Sequence, residues 1–342
     1  MTLEELRAKV REWDLHSGGT PDSTAYYSTI LDQLDYHSLK EWRVYLPAEH
    51  PDFHPNYMER LAAWIGNLID ESEQKLLLEY ALYISFFSHD DFVALYRTAL
   101  EREATQWIAA QIGVRLEGND GNTWHELLYE EINFHTWFCP ITDSMDINEF
   151  YKVNHLKGVG HRPGFATLQM LAEKAGTPNL ALAGNVTHYM STSKLNRIVL
   201  LEDIVGSGTQ CLDAIEWAVQ NLHKPVLFIP LILCPNGVEA LRAVERKWGG
   251  LLAVRPVIQL SRCDLLGPER QGHKAWPITE QIEELAKRCA PRASVKMDTF
   301  GYKNTGCSLA TFSNTPDNTL PIIHNKPKAG NWEPLFPRVY RD

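Results

Sequence analysis

The chain has 342 residues, 44% of them hydrophobic, which is enough for a sizeable core and for two domains of ordinary size. Its formal net charge is −10, and binding to a nucleic-acid backbone needs clustered Lys and Arg, so direct nucleic-acid binding is not expected. The N-terminal residues lack the apolar centre of a signal peptide, and the longest apolar run, residues 226–234, is too short to span a bilayer. We therefore expect a cytoplasmic protein without a membrane segment.

Residues 1–112 carry apolar side chains at helical spacing and are predicted to form a helical N-terminal region. Leu3, Leu6, Val10 and Trp13 follow this spacing, and residues 73–88 and 90–112 continue it in two further helices. The region shows no credible acid–base or metal cluster. We expect it to pack on the rest of the chain as a lid or as a surface for a protein partner, with no chemistry of its own.

From residue 113 onward, strand-like and helix-like segments alternate. The predicted strands are 134–141, 197–202, 225–233, 251–260 and 307–312. The predicted helices are 124–132, 165–175, 209–222, 236–248 and 278–289. Such alternation is typical of a parallel sheet covered by helices, so residues 113–342 are predicted to form an α/β domain with an extended C-terminal tail. We expect strand 197–202 at the centre of its sheet.

The run IVLLEDIVGSGTQ at residues 198–210 carries the clearest chemical signal. Four apolar residues predict a strand buried on both faces, and Glu202 and Asp203 follow where that strand should emerge. A small-residue loop then opens a helix; its members are Gly206, Ser207, Gly208, Thr209 and Gln210. Glycines let the backbone approach an anion, and amides at a helix N-terminus point toward it. The two carboxylates can accept hydrogen bonds from sugar hydroxyls, directly or through a divalent cation.

This run resembles the phosphoribosyl-diphosphate-binding motif of type I phosphoribosyltransferases. The resemblance implies that Glu202 and Asp203 are the catalytic acids, which hold the ribose hydroxyls directly or indirectly through Mg²⁺. It also implies that residues 206–210 bind the 5-phosphate. Two positions depart from the motif: Gly206 replaces the usual hydroxyl residue, and Thr209-Gln210 replaces the usual small residue followed by Thr. These departures bear on the identity of the ligand more than on the fold.

The same resemblance implies two further loops. A diphosphate loop should follow the strand at 134–141, and Thr142, Asp143 and Ser144 occupy that place without the Lys or Arg often found there. A mobile catalytic loop with cationic residues should come next, and its candidates are Lys157, His161 and Arg162. For these three residues an ordinary basic surface loop remains an equal alternative.

The C-terminal part supports a narrower resemblance. The segments FGY at 300–302, NTPDNTLP at 314–321 and WEPLFPR at 332–338 resemble a phosphoribosyltransferase-like family of bacterial conflict and antiphage effectors, PRTase-CE. The resemblance covers roughly residues 120–340 and implies a role in a defence system. The Asn/Thr/Pro run can also bond to its own backbone in tight turns, so a structural role competes equally with ligand contact.

Two functional hypotheses follow. The first is an enzyme that transfers or cleaves the pentosyl group of a phosphorylated ribose compound, either phosphoribosyl diphosphate or a nucleotide, with Mg²⁺. The second is a non-catalytic module that senses a nucleotide and regulates a defence partner. The loop without a basic residue at 142–144 favours the sensor, whereas the acid pair and the complete phosphate loop favour the enzyme.

Overall fold

The computed structural model describes residues 1–16, 25–113, 121–157, 164, 179–273, 276–293, 298–327 and 332–339. Contacts divide the chain into two compact units: Met1–Asp91 with Ser261–Asp342 form unit 1, and Phe92–Leu260 form unit 2. This grouping differs from the division after residue 112 that the sequence predicts. Local sequence patterns predict helices and strands, but they do not predict which distant segments pack into the same core. No helix in the described part of the chain is long and apolar enough to cross a membrane.

Helices occur along the whole described part of the chain, and the named strands pair with one another in parallel. The helices are α1 (Leu3–His16), α2 (Tyr26–Lys40), α3 (Tyr57–Ile65), α4 (Glu71–Ala81), α5 (His89–Thr98), α6 (Thr105–Gln111), α7 (Gly121–Phe134), α8 (Ile147–Val153), α9 (Asn179–Thr192), α10 (Thr209–Leu222), α11 (Pro235–Lys247), α12 (Thr279–Ala293) and α13 (Pro321–His324). The strands are β1 (Ser85–Phe87), β2 (Thr136–Pro140), β3 (Arg197–Val205), β4 (Val226–Leu233), β5 (Leu252–Val254), β6 (Ile258–Gln259) and β7 (Leu309–Thr311). A π-helical turn, Ala99–Ala104, joins α5 to α6.

Unit 1 joins the two ends of the chain in one hydrophobic core. The indoles of Trp64 and Trp332 both donate to the carbonyl oxygen of Ile322, at 2.6 and 2.9 Å. All three residues are buried, with 1% or less of each side chain exposed. The C-terminal segment therefore completes the core of the N-terminal helices instead of extending the α/β domain.

A two-stranded parallel sheet in unit 1 corrects two sequence predictions. The helix predicted over 73–88 ends at Ala81, and Ser85–Phe87 form β1, which pairs with β7 in the register Ser85↔Leu309. The strand predicted at 307–312 is accordingly β7, and it lies in this small sheet and not in the sheet of unit 2. The apolar residues before residue 88 are compatible with the spacing of a helix and with that of a strand. Pairing with the distant strand β7 makes residues 85–87 a strand.

The Asn/Thr/Pro run of the tail is buried and bonded within the protein. Thr315 Oγ1 donates to the Phe336 carbonyl at 3.1 Å, and Thr319 Oγ1 donates to the Leu309 carbonyl at 2.6 Å. Both threonines have no exposed surface. Of the two alternatives for this run, these contacts favour the structural role, because a buried hydroxyl without a partner would be costly.

Unit 2 contains a parallel sheet in the strand order β2-β3-β4-β5, with β6 pairing to the far half of β4. Strand β3 lies between β2 and β4, as the sequence predicts for residues 197–202. Ile198–Leu201 have no exposed surface, and every residue of β4 is buried. This double burial explains the unbroken apolar runs of both strands.

The predicted strand 251–260 is two short strands, β5 and β6. Between them Arg255 and Val257 still donate their amides to β4, to the carbonyls of Phe228 and Pro230. Pro256 stands between these donors and has no amide hydrogen for a ladder, which accounts for the interruption. The helix predicted at 165–175 lies outside the described residues.

Candidate functional site

The candidate site lies where strand β3 extends beyond the end of its neighbour β2. The last pair between these strands is Pro140↔Leu201, and the amide of Ile141 adds one more bond to the Leu201 carbonyl at 3.0 Å. Strand β3 continues to Val205, so the acids at positions 202 and 203 stand beyond the end of β2. The chain leaving β2 passes beside them, which brings the predicted diphosphate loop to the predicted acid pair.

Both carboxylates are bound by this loop. Thr142 donates its amide to Glu202 Oε2 at 3.1 Å and its hydroxyl contacts Glu202 Oε1 at 2.7 Å. The hydroxyl of Ser144 contacts Asp203 Oδ1 at 2.9 Å, and the same Asp203 oxygen accepts the amide of Ile204 at 2.7 Å. Successive residues of a strand point to opposite faces, so one loop crossing the strand end can reach both acids.

The environment of Glu202 opposes its ionisation. Its side chain is 5% exposed, and burial, followed by the charge of Asp203, raises the pKa of the Glu202 carboxyl well above its usual range. The two bonds from Thr142 act in the opposite direction, and the exposed Asp143 adds a smaller repulsion. Burial disfavours the charged form of an acid, and a neighbouring carboxylate does the same.

The two hydroxyls also lie next to each other. The hydroxyl oxygens of Thr142 and Ser144 are 2.7 Å apart, so three short oxygen–oxygen contacts join Glu202 to Asp203. Thr142 donates its hydroxyl to Glu202, and Ser144 donates its hydroxyl to Asp203.

The predicted phosphate loop follows directly and opens α10. Gly208 is the N-cap of this helix at φ +82°, in the left-handed region that suits glycine. Gly208 has no side chain to cap the helix, and the N-terminus of a helix attracts an anion. The hydroxyls of Ser207 and Thr209 lie 3.1 Å apart on the same loop.

Helix α11 packs closely on this loop through Gly237. A Cβ atom at position 237 would lie 2.9 Å from Val205 Cγ1 and 3.1 Å from the Gly206 carbonyl oxygen. Glycine at position 237 therefore allows α11 to approach the loop more closely than any residue with a Cβ atom would. Gly237 belongs to no motif in the sequence, where it is only a glycine near the start of the predicted helix 236–248.

Two buried groups next to the acid pair were also missed. Burial raises the pKa of the Cys211 thiol to about 12, with a smaller effect of Glu202, and its sulfur contacts the Gly208 carbonyl oxygen at 3.1 Å. The pKa of Tyr96 is raised by burial first and then by Glu149, Asp146 and Asp203. Tyr96 comes from α5, in the region where no chemistry was predicted, and only the tertiary structure brings it near Asp203.

The predicted mobile-loop residues are only partly described. The amide of Lys157 donates to Asn133 Oδ1 at 2.8 Å, and its ammonium lies 5.8 Å from the centre of the Tyr129 ring, so Lys157 contacts α7. His161 and Arg162 lie outside the described residues. Neither the catalytic alternative nor the surface alternative is tested for these three residues.

One known protein family matches the sequence of this chain. The model of the family PRTase-CE matches residues 61–338, which is most of the chain. The chain belongs to the PRTase-CE family. The match includes both acids, the predicted phosphate loop and the C-terminal motifs of this PRTase-CE protein, and it extends into the helical region before residue 113. No curated protein and no solved structure matches the chain.

Proposed function

We propose that this PRTase-CE protein is an enzyme that binds phosphoribosyl diphosphate or a nucleotide with Mg²⁺ and transfers or cleaves its pentosyl group. One observation carries the proposal: an acid pair at the end of a central strand, with Glu202 buried and Asp203 partly exposed, is followed directly by a glycine loop at a helix N-terminus. The ligands of open parallel sheets bind at the carboxyl ends of the strands, and this is such a place.

The two halves of the site suit the two ends of a ribose phosphate. The glycine loop and the N-terminus of α10 suit a 5-phosphate, and the hydroxyls of Ser207 and Thr209 would be additional donors. Glu202 and Asp203 suit the 2′- and 3′-hydroxyls, because carboxylate oxygens accept bonds from hydroxyl donors. The sugar would thus lie between an anion site and an acid pair that repels anions.

The acid pair also fits a shared magnesium ion. Mg²⁺ keeps several water molecules and usually binds one or two carboxylates together with substrate phosphates. Among the described residues, no group of three or more His, Cys, Asp and Glu side chains could hold a metal ion. Asp203, and Glu202 after release of Thr142, would provide the one or two carboxylates, and the bound ion would neutralise charge on a departing diphosphate.

Cleavage at the anomeric carbon develops positive charge on the sugar ring and negative charge on the leaving group. A fixed phosphate and fixed hydroxyls hold the ring in place while this charge develops. The negative charge of Asp203 next to the sugar favours the positive ring. The amides and hydroxyls of Thr142 and Ser144 would serve a departing diphosphate as donors.

A nucleotide-sensing regulatory module is the second candidate function. Residues 142–144 contain no Lys or Arg, and their hydroxyls contact the acid pair. A loop of this composition offers weak stabilisation to a leaving diphosphate, which favours binding without turnover. In either case we propose an effector or regulator of a bacterial antiphage system, with residues 1–112 as a surface for a protein partner.

Calorimetric titration with phosphoribosyl diphosphate and Mg²⁺ tests the proposal. The double variant Glu202→Gln, Asp203→Asn keeps side-chain size and removes two acceptor charges. Charge-assisted hydrogen bonds contribute about 1.5–3 kcal/mol each, so affinity should fall at least tenfold while circular dichroism remains unchanged. Equal binding by the folded double variant would place the site elsewhere. Wild-type binding without turnover of any nucleotide would support the sensor, and a nucleotide profile of expressing cells would reveal the substrate of the enzyme.

A further inference from the structure

The two hydroxyls that contact the acid pair have the geometry of a small diol. Thr142 Oγ1 and Ser144 Oγ lie 2.7 Å apart, and each faces a different carboxylate, Glu202 at 2.7 Å and Asp203 at 2.9 Å. The cis hydroxyls of a ribose ring are likewise held within hydrogen-bonding distance of each other, on one side of the ring. The loop therefore offers the acid pair the same two neighbouring donors that a ribose would offer.

We propose that Thr142 and Ser144 are an internal substitute for the cis-diol of ribose, and that a ligand must displace them to bind. This inference rests on the proposed function and adds to it a self-inhibiting contact and a ligand class. Without ligand the loop satisfies both acids. In the bound state the 2′- and 3′-hydroxyls of the ligand take its place.

The attachment of the loop confines this exchange to a short segment. Ile141 is held by its bond to the Leu201 carbonyl, and Met145 is buried, with 2% of its side chain exposed. Asp146 then caps α8 by accepting the amide of Glu149 at 3.0 Å. Only residues 142–144, between these anchors, need to move, and Asp143 and Ser144 are already exposed.

Displacement has two consequences for the ligand. A 2-deoxyribose can replace only one of the two hydroxyl donors, so one acid would lose a bond that it has to the loop in the absence of ligand. Leaving a buried acceptor without its donor is costly, so the exchange selects ribose over 2-deoxyribose. The hydroxyls of Thr142 and Ser144 become available to a diphosphate only after the ribose hydroxyls have displaced them. Binding of the ribose therefore favours binding of the diphosphate.

Titration of ribose 5-phosphate and of 2-deoxyribose 5-phosphate, each with Mg²⁺, into the wild type and into Thr142→Val, Ser144→Ala tests the inference. The variant loses the internal diol and keeps the acids, so its affinity for ribose 5-phosphate should rise about tenfold, the effect of one hydrogen bond of ordinary strength. The matched control Thr98→Val, Ser191→Ala removes the same hydroxyls from α5 and α9 and should bind as the wild type does.

Amide hydrogen exchange of the wild type provides a measurement that needs no variant to fold. The Thr142 amide, which donates to Glu202, should exchange faster when ribose 5-phosphate binds, whereas the Ile141 amide should stay protected. Binding with an equally protected Thr142 amide, or weaker ribose 5-phosphate binding by the folded variant, would overturn the inference alone. If the wild type binds neither sugar phosphate, the proposed function fails and the inference with it.

Discussion

At Glu202, burial and the charge of Asp203 oppose ionisation more strongly than the two bonds from Thr142 favour it. Both bonds to Glu202 are donated by Thr142, and Asp203 accepts the hydroxyl of Ser144. A group whose pKa changes on folding makes stability depend on pH, so the raised pKa of Glu202 should be measurable in the free energy of unfolding.

Glu202→Gln should raise the free energy of unfolding at pH 8, and the gain should shrink toward pH 5. A raised folded-state pKa stabilises the folded protein fully only below the unfolded-state value of about 4.3, and this stabilisation is lost as pH rises through the folded-state value. Glutamine has the shape of the protonated acid and does not ionise. Urea unfolding should therefore show a larger gain in the free energy of unfolding at pH 8 than at pH 5.

The control for this prediction is Glu126→Gln, at an exposed position of α7. It should reproduce the pH dependence of the wild type. A Glu202→Gln protein that is less stable than the wild type at pH 8 would show that Glu202 is ionised and stabilised by its bonds to Thr142.

At the scale of elements, the site depends on how closely α11 approaches the end of β3. Gly237 allows this approach, and Gly208 provides the left-handed turn that starts α10. The sequence predicted the strand, the glycine loop and both helices. It did not predict the contact between α11 and the loop, because the contact depends on the relative placement of two helices that follow different strands.

Gly237→Ala should destabilise unit 2 and weaken phosphate binding. The new Cβ would lie 2.7 Å from Leu233 Cδ1 and 2.9 Å from Val205 Cγ1, so either the helix or the strand end must shift. Overpacking of this kind costs about 1–3 kcal/mol, measurable by urea unfolding.

Gly184→Ala is the matched control, since a Cβ at this position of α9 meets nothing within 4 Å. Alanine is favoured over glycine inside a helix by about 1 kcal/mol, so this variant should be as stable as the wild type or more so. Equal stability of both variants would mean that α11 is free to relax away from the loop.

At the scale of the whole molecule, the two ends of the chain share one core. Trp64 from the N-terminal helices and Trp332 from the tail bond to the same carbonyl, and Arg60 donates to the carbonyl of Leu335 at 2.9 Å. The family match begins at residue 61 and thus includes residues from both sides of this core. Fragments cut at different places should therefore differ in their ability to fold.

The fragment 92–260 should fold cooperatively, whereas the fragment 113–342 should not. The first keeps the whole of unit 2, and the second lacks α5 and α6 and contains only the C-terminal part of unit 1. Half of a core leaves its apolar surface exposed, which favours aggregation. Size-exclusion chromatography and urea unfolding of both fragments measure the difference. A monomeric, cooperatively unfolding 113–342 would support the division that the sequence predicts.

The sequence by itself determined the α/β class, the central buried strand, the acid pair and the glycine loop of this PRTase-CE protein. These features are local, because a buried strand, the end of a strand and the start of a helix each have a sequence pattern of about ten residues. Only the tertiary structure decided that Ser85–Phe87 is a strand, that the tail completes the N-terminal core, and that Thr142 and Ser144 contact Glu202 and Asp203. Each of these depends on residues far apart in the chain, and their meeting is determined by the packing of the whole fold and not by any pattern that a short segment contains.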